Sequence, residues 1–108
     1  MKNKTFSIRT SINKASKSLT ITFEGDLAIK NAEAIKKTIQ TINFSNDPVT
    51  IYLKNIEKFD ITSVQTIRAL RIYLNNKGNI TSILSEIPEN FERLLKNTGF
   101  DKIMLNNT

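Results

Sequence analysis

The spacing of apolar residues in this chain alternates between a period of two and a period of three to four, several times within one short sequence. In SLTITFEG, Leu19, Ile21 and Phe23 alternate with Thr20, Thr22 and Glu24, the pattern of a half-buried strand. The preceding TFSIRTSI alternates less cleanly through Phe6, Ile8 and Ile12 and reads as a second strand. The polar NKASKS between them suits a hairpin connection, although it lacks an Asn-Gly or Asp-Gly turn. From Ala28 the spacing becomes helical: Ala28, Ala32, Ile35, Ile39 and Ile42 share one face, and Lys30, Glu33, Lys36 and Lys37 fall elsewhere. SNDP, with Pro48, ends that helix. VTIYL is then a β-branched and aromatic run of the kind found in a central strand covered on both faces. Strand, helix and strand in that order imply a right-handed crossover and parallel pairing.

NIEKFDI reads as a loop. From Thr62 the helical spacing returns through Val64, Ile67, Leu70 and Leu74, with Arg71 facing out and Gly78 as the C-terminal cap. NITSIL is a fourth strand candidate. PENFERLLKNTG reads as a third helix opening near Pro88, and FDKIML as a short closing strand. The order β-β-α-β-α-β-α-(β) therefore accounts for all 108 residues as a single α/β domain, with no repeat or linker.

Composition narrows the chemistry. The chain has no cysteine and no histidine, which removes disulfides, thiolate nucleophiles, the usual zinc ligand sets and imidazole acid–base catalysis. No metal and no cofactor are expected. A net charge of +6 raises the question of nucleic acid, but Glu24, Glu33, Glu57, Glu86 and Glu92 interrupt any basic stripe, so a nucleic-acid partner is not expected. No apolar run approaches the roughly 20 residues of a membrane span. The expectation is a cytoplasmic protein without direct membrane insertion.

The order and spacing of these segments resemble a STAS domain, the module of bacterial anti-anti-sigma factors, stressosome proteins and the tails of sulfate transporters. LTITFEGDL (Leu19 to Leu27) is similar to the family's strand ending in Gly-x-Leu. VTIYLKNIEKFDITSVQTIRAL (Val49 to Leu70) is similar to its strand, loop and Asp-Ser-Ser-Gly turn opening a helix. LNNKGNITSIL and PENFERLLKNTGFDKI resemble the following strand and closing helix, so the likeness covers residues 7 to 105. It implies a mixed β-sheet with helices mainly on one face, and a non-enzymatic protein-binding module. This sequence departs from the pattern where Ile61 replaces the first hydroxyl of the turn, Ser63 replaces its glycine, and Tyr52 stands where the preceding strand commonly has Asp or Asn.

The turn before the second helix can be read in two ways. Thr62-x-x-Gln65 fits a capping box, with Asp60 as the competing cap. By the resemblance, Thr62 also occupies the position of the phosphorylatable hydroxyl, with Ser63 as the second choice. Asp60, Ile61, Thr62, Ser63 and Gln65, joined by Glu24 and Asp26 at the end of the second strand, then form the partner-binding set; the bare reading of Glu24 and Asp26 is as turn residues. The implied function is that of an anti-sigma factor antagonist, a monomer or weak dimer that switches partners on phosphorylation by a serine kinase. The alternative is a STAS subunit of a phospholipid-transport ABC system, bound to its ATPase.

Overall fold

The computed structural model of the protein describes residues 5–86. Within them the order is β1 (Phe6–Asn13), β2 (Ser18–Asp26), a single 3-10 turn (Ile29–Asn31), α1 (Ala32–Gln40), β3 (Val49–Lys58), α2 (Ile61–Lys77) and β4 (Thr81–Ser85). The four strands form one sheet in the order β1-β2-β3-β4. The hairpin pair β1 and β2 is antiparallel, whereas β2 with β3 and β3 with β4 are parallel, as strands joined through helices must be. The third helix and closing strand expected from Pro88 onward lie outside the described residues.

Alternation in the strands sorts the sheet into two faces. Leu19, Ile21 and Phe23 of β2, Val49, Ile51 and Leu53 of β3, and Ile83 of β4 are buried together with Ile35 of α1 and Val64, Ile67, Leu70 and Leu74 of α2. Both helices therefore cover the same face. Burying each such side chain contributes about 1.5–3 kcal/mol, so this layer carries most of the stability. On the opposite face, Thr20, Thr22, Thr50 and Tyr52 are only half-buried. The expectation that β3 is covered alike on both sides is thus corrected: it is central in the sheet, but its apolar residues all point one way.

Local chemistry explains the connections. The β1–β2 hairpin lacks glycine, and the Asn13 side chain supplies the turn instead, its Oδ1 accepting from the amides of Ala15 (3.0 Å) and Ser16 (3.1 Å). The helix read from Ala28 begins later than its spacing suggests, because the 3-10 turn comes first and only Ala32–Gln40 is α-helical. NIEK, read as loop, extends β3 to Lys58. Phe23 pairs with Leu53 but Gly25 pairs with Ile56, so β3 carries an extra residue at a bulge where Asn55 has φ 51°. Such a bulge breaks the alternation that marks a strand in sequence.

Arg71, expected to face outward, is buried, and its Nε donates to Thr81 Oγ1 at 3.3 Å. Thr81 in turn donates to Asn75 Oδ1 at 2.9 Å, so this polar chain fastens α2 to β4. Burial lowers the Arg71 pKa from its usual value. The helical period placed Arg71 correctly beside Leu70 and Leu74; its charge misdirected the reading.

Two glycines have positive φ for different reasons. Gly78 (φ 101°) closes α2 with open space around its α-carbon, whereas at Gly25 (φ 92°) an added Cβ would stand 2.3 Å from the Thr5 carbonyl oxygen. Gly78→Ala therefore costs only the left-handed conformation, about 1–2 kcal/mol. Gly25→Ala costs more, because the β1–β2 ladder must also part. Urea unfolding of the two variants checks this order; equal losses would contradict it.

Candidate functional site

At the ends of β2 and β3 the chain turns twice, into Leu27–Ile29 and into Phe59–Asp60, and the start of α2 holds the two turns together. Asp60 is the N-cap of α2. Its Oδ1 accepts from the Ser63 amide at 3.1 Å, and Ser63 Oγ accepts from the Asp60 amide at 3.0 Å, a reciprocal capping box. The same two side chains also reach across to the first turn: Asp60 Oδ2 accepts from the Ile29 amide at 3.1 Å, and Ser63 Oγ donates to the Leu27 carbonyl at 2.6 Å. Leu27 closes the link by donating its amide to the Lys58 carbonyl at 2.9 Å. Five hydrogen bonds thus join the β2 exit, the β3 exit and the helix.

The box expected from Thr62 to Gln65 is therefore displaced by one from Asp60 to Ser63. The reason is register: α2 begins at Ile61, which leaves Asp60 in extended geometry (φ −135°) as the last residue outside the helix. Thr62 falls inside the first turn, where its hydroxyl cannot reach back to a free amide. Gln65 is exposed and takes no part in the cap.

Adjacent hydroxyls consequently have opposite environments. Ser63 is 1% exposed and its Oγ is committed to the bonds above. Thr62 is half-buried; its carbonyl accepts from Thr66 Oγ1 at 2.9 Å, and its hydroxyl makes no hydrogen bond among the described residues. Two isoleucines of these turns are exposed: Ile61, next to Thr62 in the chain, at 54%, and Ile29, whose amide bonds Asp60, at 68%. The amide-rich first turn of α2 lies beside this hydroxyl, and the positive end of a helix favours an anion there.

The carboxylate pair of β2 separates. Asp26 is buried, its Oδ1 accepting from the Ala28 amide at 2.9 Å and its Oδ2 lying 3.8 Å from Lys30 Nζ, so it shapes the first turn beneath Asp60. Asn31 adds a further tie, donating to the Asp26 carbonyl at 2.7 Å. Glu24 instead belongs to the open sheet face, where it accepts from Arg9 (2.5 Å), Asn55 (3.1 Å) and Ser7 (3.4 Å). Among the described residues no hydrogen bond connects it to the Asp60 turn directly. The structure therefore brings together Asp26, Asp60, Ile61, Thr62 and Ser63, and leaves Glu24 on another surface.

What sequence reasoning missed here are Leu27 and Ile29, which take part through backbone groups that carry no side-chain signal. Among the described residues no group of three or more His, Cys, Asp or Glu side chains is placed to hold a metal ion, and no helix is long and apolar enough to cross a membrane.

With this geometry in view, comparison with known proteins becomes specific. The sequence model of the STAS domain matches residues 8–108, and the chain belongs to the STAS domain family. A similar solved structure is the crystal structure of an antisigma-factor antagonist, a STAS domain from Rhodobacter sphaeroides. The two share 19% sequence identity and a TM-score of 0.63, over 77% of this chain and 89% of that one. At that identity the likeness is one of fold. No curated protein matches the chain.

Two predictions test the site. Ser63→Ala strands the Leu27 carbonyl and opens the cap, costing about 1–3 kcal/mol, whereas Thr62→Ala changes stability by less than about 0.5 kcal/mol; thermal unfolding of both variants measures the contrast. The Glu24 carboxyl is held below its ordinary value of 4.5, first by the Asn55 hydrogen bond and then by Arg9. A lowered folded-state pKa means that this stabilisation is present above the unfolded value and is lost as pH falls through the folded one. Asn55→Gly, which removes the side chain without opposing the positive φ, is expected to raise the Glu24 pKa in an NMR titration; an unmoved value would contradict the assignment.

Proposed function

We propose that this protein is a non-enzymatic, protein-binding regulator of the anti-sigma factor antagonist kind, which docks its partner at the N-terminal end of α2 and is released by phosphorylation of Thr62. The observation that carries this reading is the contrast at that end: the Ser63 hydroxyl is enclosed and bonded, whereas the neighbouring Thr62 hydroxyl makes no hydrogen bond among the described residues and lies next to exposed Ile61. Membership of the STAS family and the fold shared with an antisigma-factor antagonist support it.

A kinase must draw the acceptor hydroxyl out by several ångströms, which Ser63 resists and Thr62 allows. A phosphate on Thr62 adds about −1.5 to −2 charges at the helix N-terminus. It is tolerated there because the dipole favours it and the first-turn amides face it. It also sits two residues from the Asp60 carboxylate and next to exposed Ile61, so a partner docked on that end meets a strongly hydrated anion. Binding is lost and the fold is kept. Asp60 serves as the fixed edge of the docking surface, since its two carboxylate oxygens are already held by Ile29 and Ser63.

The test is co-expression with the serine kinases and ABC ATPases encoded in the same genome, followed by intact-mass and phosphopeptide analysis. One phosphate that disappears in Thr62→Ala but persists in a Thr62→Ser variant is expected. The phosphorylated form should bind the kinase-like partner at least about tenfold more weakly. A stable complex with an ABC ATPase, with no phosphate under any partner, would replace this reading with that of a constitutive transporter subunit.

A further inference from the structure

Strand β1 forms one edge of the sheet, and two hydrogen bonds fix which way its backbone groups point. The β1–β2 register runs from Phe6 opposite Gly25 to Asn13 opposite Ser18 without a shift. One step before it, the Thr5 carbonyl accepts from the Asp26 amide at 2.8 Å, so Thr5 turns its backbone toward β2. In an antiparallel pair every second residue does so. Ser7, Arg9, Ser11 and Asn13 therefore face β2, and Phe6, Ile8, Thr10 and Ile12 turn both N–H and C=O outward. Leu19 agrees with this parity: it lies opposite Ile12, and its amide donates away from β1, to the Pro48 carbonyl at 2.9 Å. Among the described residues β1 pairs with β2 alone, which leaves that outward row open.

Open sheet edges are ordinarily blunted by shortness, by proline, by a bulge or by charge. β1 is eight residues long and has no proline and no bulge. Its single charge, Arg9, is engaged by Glu24. The opposite edge, β4, is five residues long. On the helix side of β1, Ile8 packs against the core, whereas Ile12 is 67% exposed. The free backbone row calls for a strand, and the topology decides where one comes from. Residues 1–4 are too few to turn and lie back along β1, since a two-residue turn leaves only two of them. Residues 87–108 leave from the end of β4, three strand spacings or about 14 Å from β1, with the whole sheet between.

β1 is complementary to itself. A two-fold axis normal to the sheet keeps the two faces aligned only when it passes a residue, because an axis between residues would set outward groups against inward ones. With the axis at Thr10, Ile8 lies opposite Ile12 of the second copy, Arg9 opposite Ser11 and Ser7 opposite Asn13. With the axis at Arg9, two guanidinium groups stand directly opposite, a destabilising pair. We propose that β1 pairs antiparallel with β1 of a second copy, Thr10 lying on the two-fold axis, so that the two sheets become one. The outward groups of Ile8, Thr10 and Ile12 then close about six hydrogen bonds, and exposed Ile12 gains Ile8 of the second copy as its neighbour. This pairing is independent of the reading of Thr62.

A contact along one strand is smaller than a standard interface and so weak, and the test therefore follows the full chain from about 10 μM to about 1 mM. Sedimentation is expected to show monomer passing into dimer across that range. Amide exchange at Ile8, Thr10 and Ile12 is expected to slow as the dimer fraction rises, while Ser7, Arg9 and Ser11, bonded to β2, stay protected throughout. Thr10 is exposed, so a charge placed there leaves the fold intact, and retained protection of Ser7, Arg9 and Ser11 verifies this. Thr10→Lys and Thr10→Glu are each expected to dimerise at least about tenfold more weakly than the native chain, and an equimolar mixture of the two to recover association. A chain that stays monomeric over the whole range overturns the proposal. So does protection of Ile8, Thr10 and Ile12 that is independent of concentration, which would put a segment of the same chain on the edge. A dimer that Thr10→Lys leaves unchanged, or that the mixture of charged variants fails to restore, contradicts the axis at Thr10 and overturns it equally.

Discussion

The reciprocal bond between Asp60 and Ser63 is the interaction on which the rest of this architecture turns. A capping box ordinarily satisfies two orphan amides at one helix end. Here each partner has a second bond that crosses to another turn, Asp60 to the Ile29 amide and Ser63 to the Leu27 carbonyl. Two parallel strands, β2 and β3, end side by side, and their exits would otherwise be independent loops. Because one pair of side chains ties both, the exposed Ile29 and Ile61 and the half-buried Thr62 are held at fixed spacing. A binding module needs that preorganisation, since ordering a loop on contact would subtract from affinity.

The same arrangement accounts for a departure from the STAS pattern. Where the family's turn usually has glycine, this chain has Ser63, and the serine is enclosed within the fold and bridges to the Leu27 carbonyl. On the far side of the sheet, Glu24 gathers Arg9, Asn55 and Ser7, and Tyr52 donates to Glu86 at 2.5 Å. These contacts order a polar face that is separate from the Asp60–Ser63 turn.

How much of this could be read in advance follows from which physical signals are local. The alternation of Leu19, Ile21 and Phe23 and the three- and four-residue spacing of Val64, Ile67, Leu70 and Leu74 report directly which side chains meet the core, and the succession of strands and helices along the chain follows from them. Gly78 announced the end of α2 because a positive φ favours that residue. The bulge at Asn55 was illegible, since an extra residue destroys the period that identifies a strand. Arg71 misled because charge suggests solvent, whereas its guanidinium bonds Thr81 in a buried polar chain. At the site, the cap was read two residues too late, with Asp60 as the competing choice: Thr62 and Gln65 fit the box by type, and only the register of Ile61 decides for Asp60 and Ser63. Leu27 and Ile29 had no signal at all, because they act through backbone groups brought close by the parallel pairing of β2 and β3.

The central claim is that the Asp60–Ser63 pair makes the two strand exits one rigid surface. Native-state hydrogen exchange of the Ile29 amide, in the native chain and in Asp60→Ala, tests it most directly. The account predicts that Ile29 exchanges as slowly as the amides of the β2–β3 ladder in the native chain, and that Asp60→Ala speeds it by local opening while the ladder stays protected. Rapid exchange of Ile29 in the native chain, or exchange unchanged by Asp60→Ala, would contradict it.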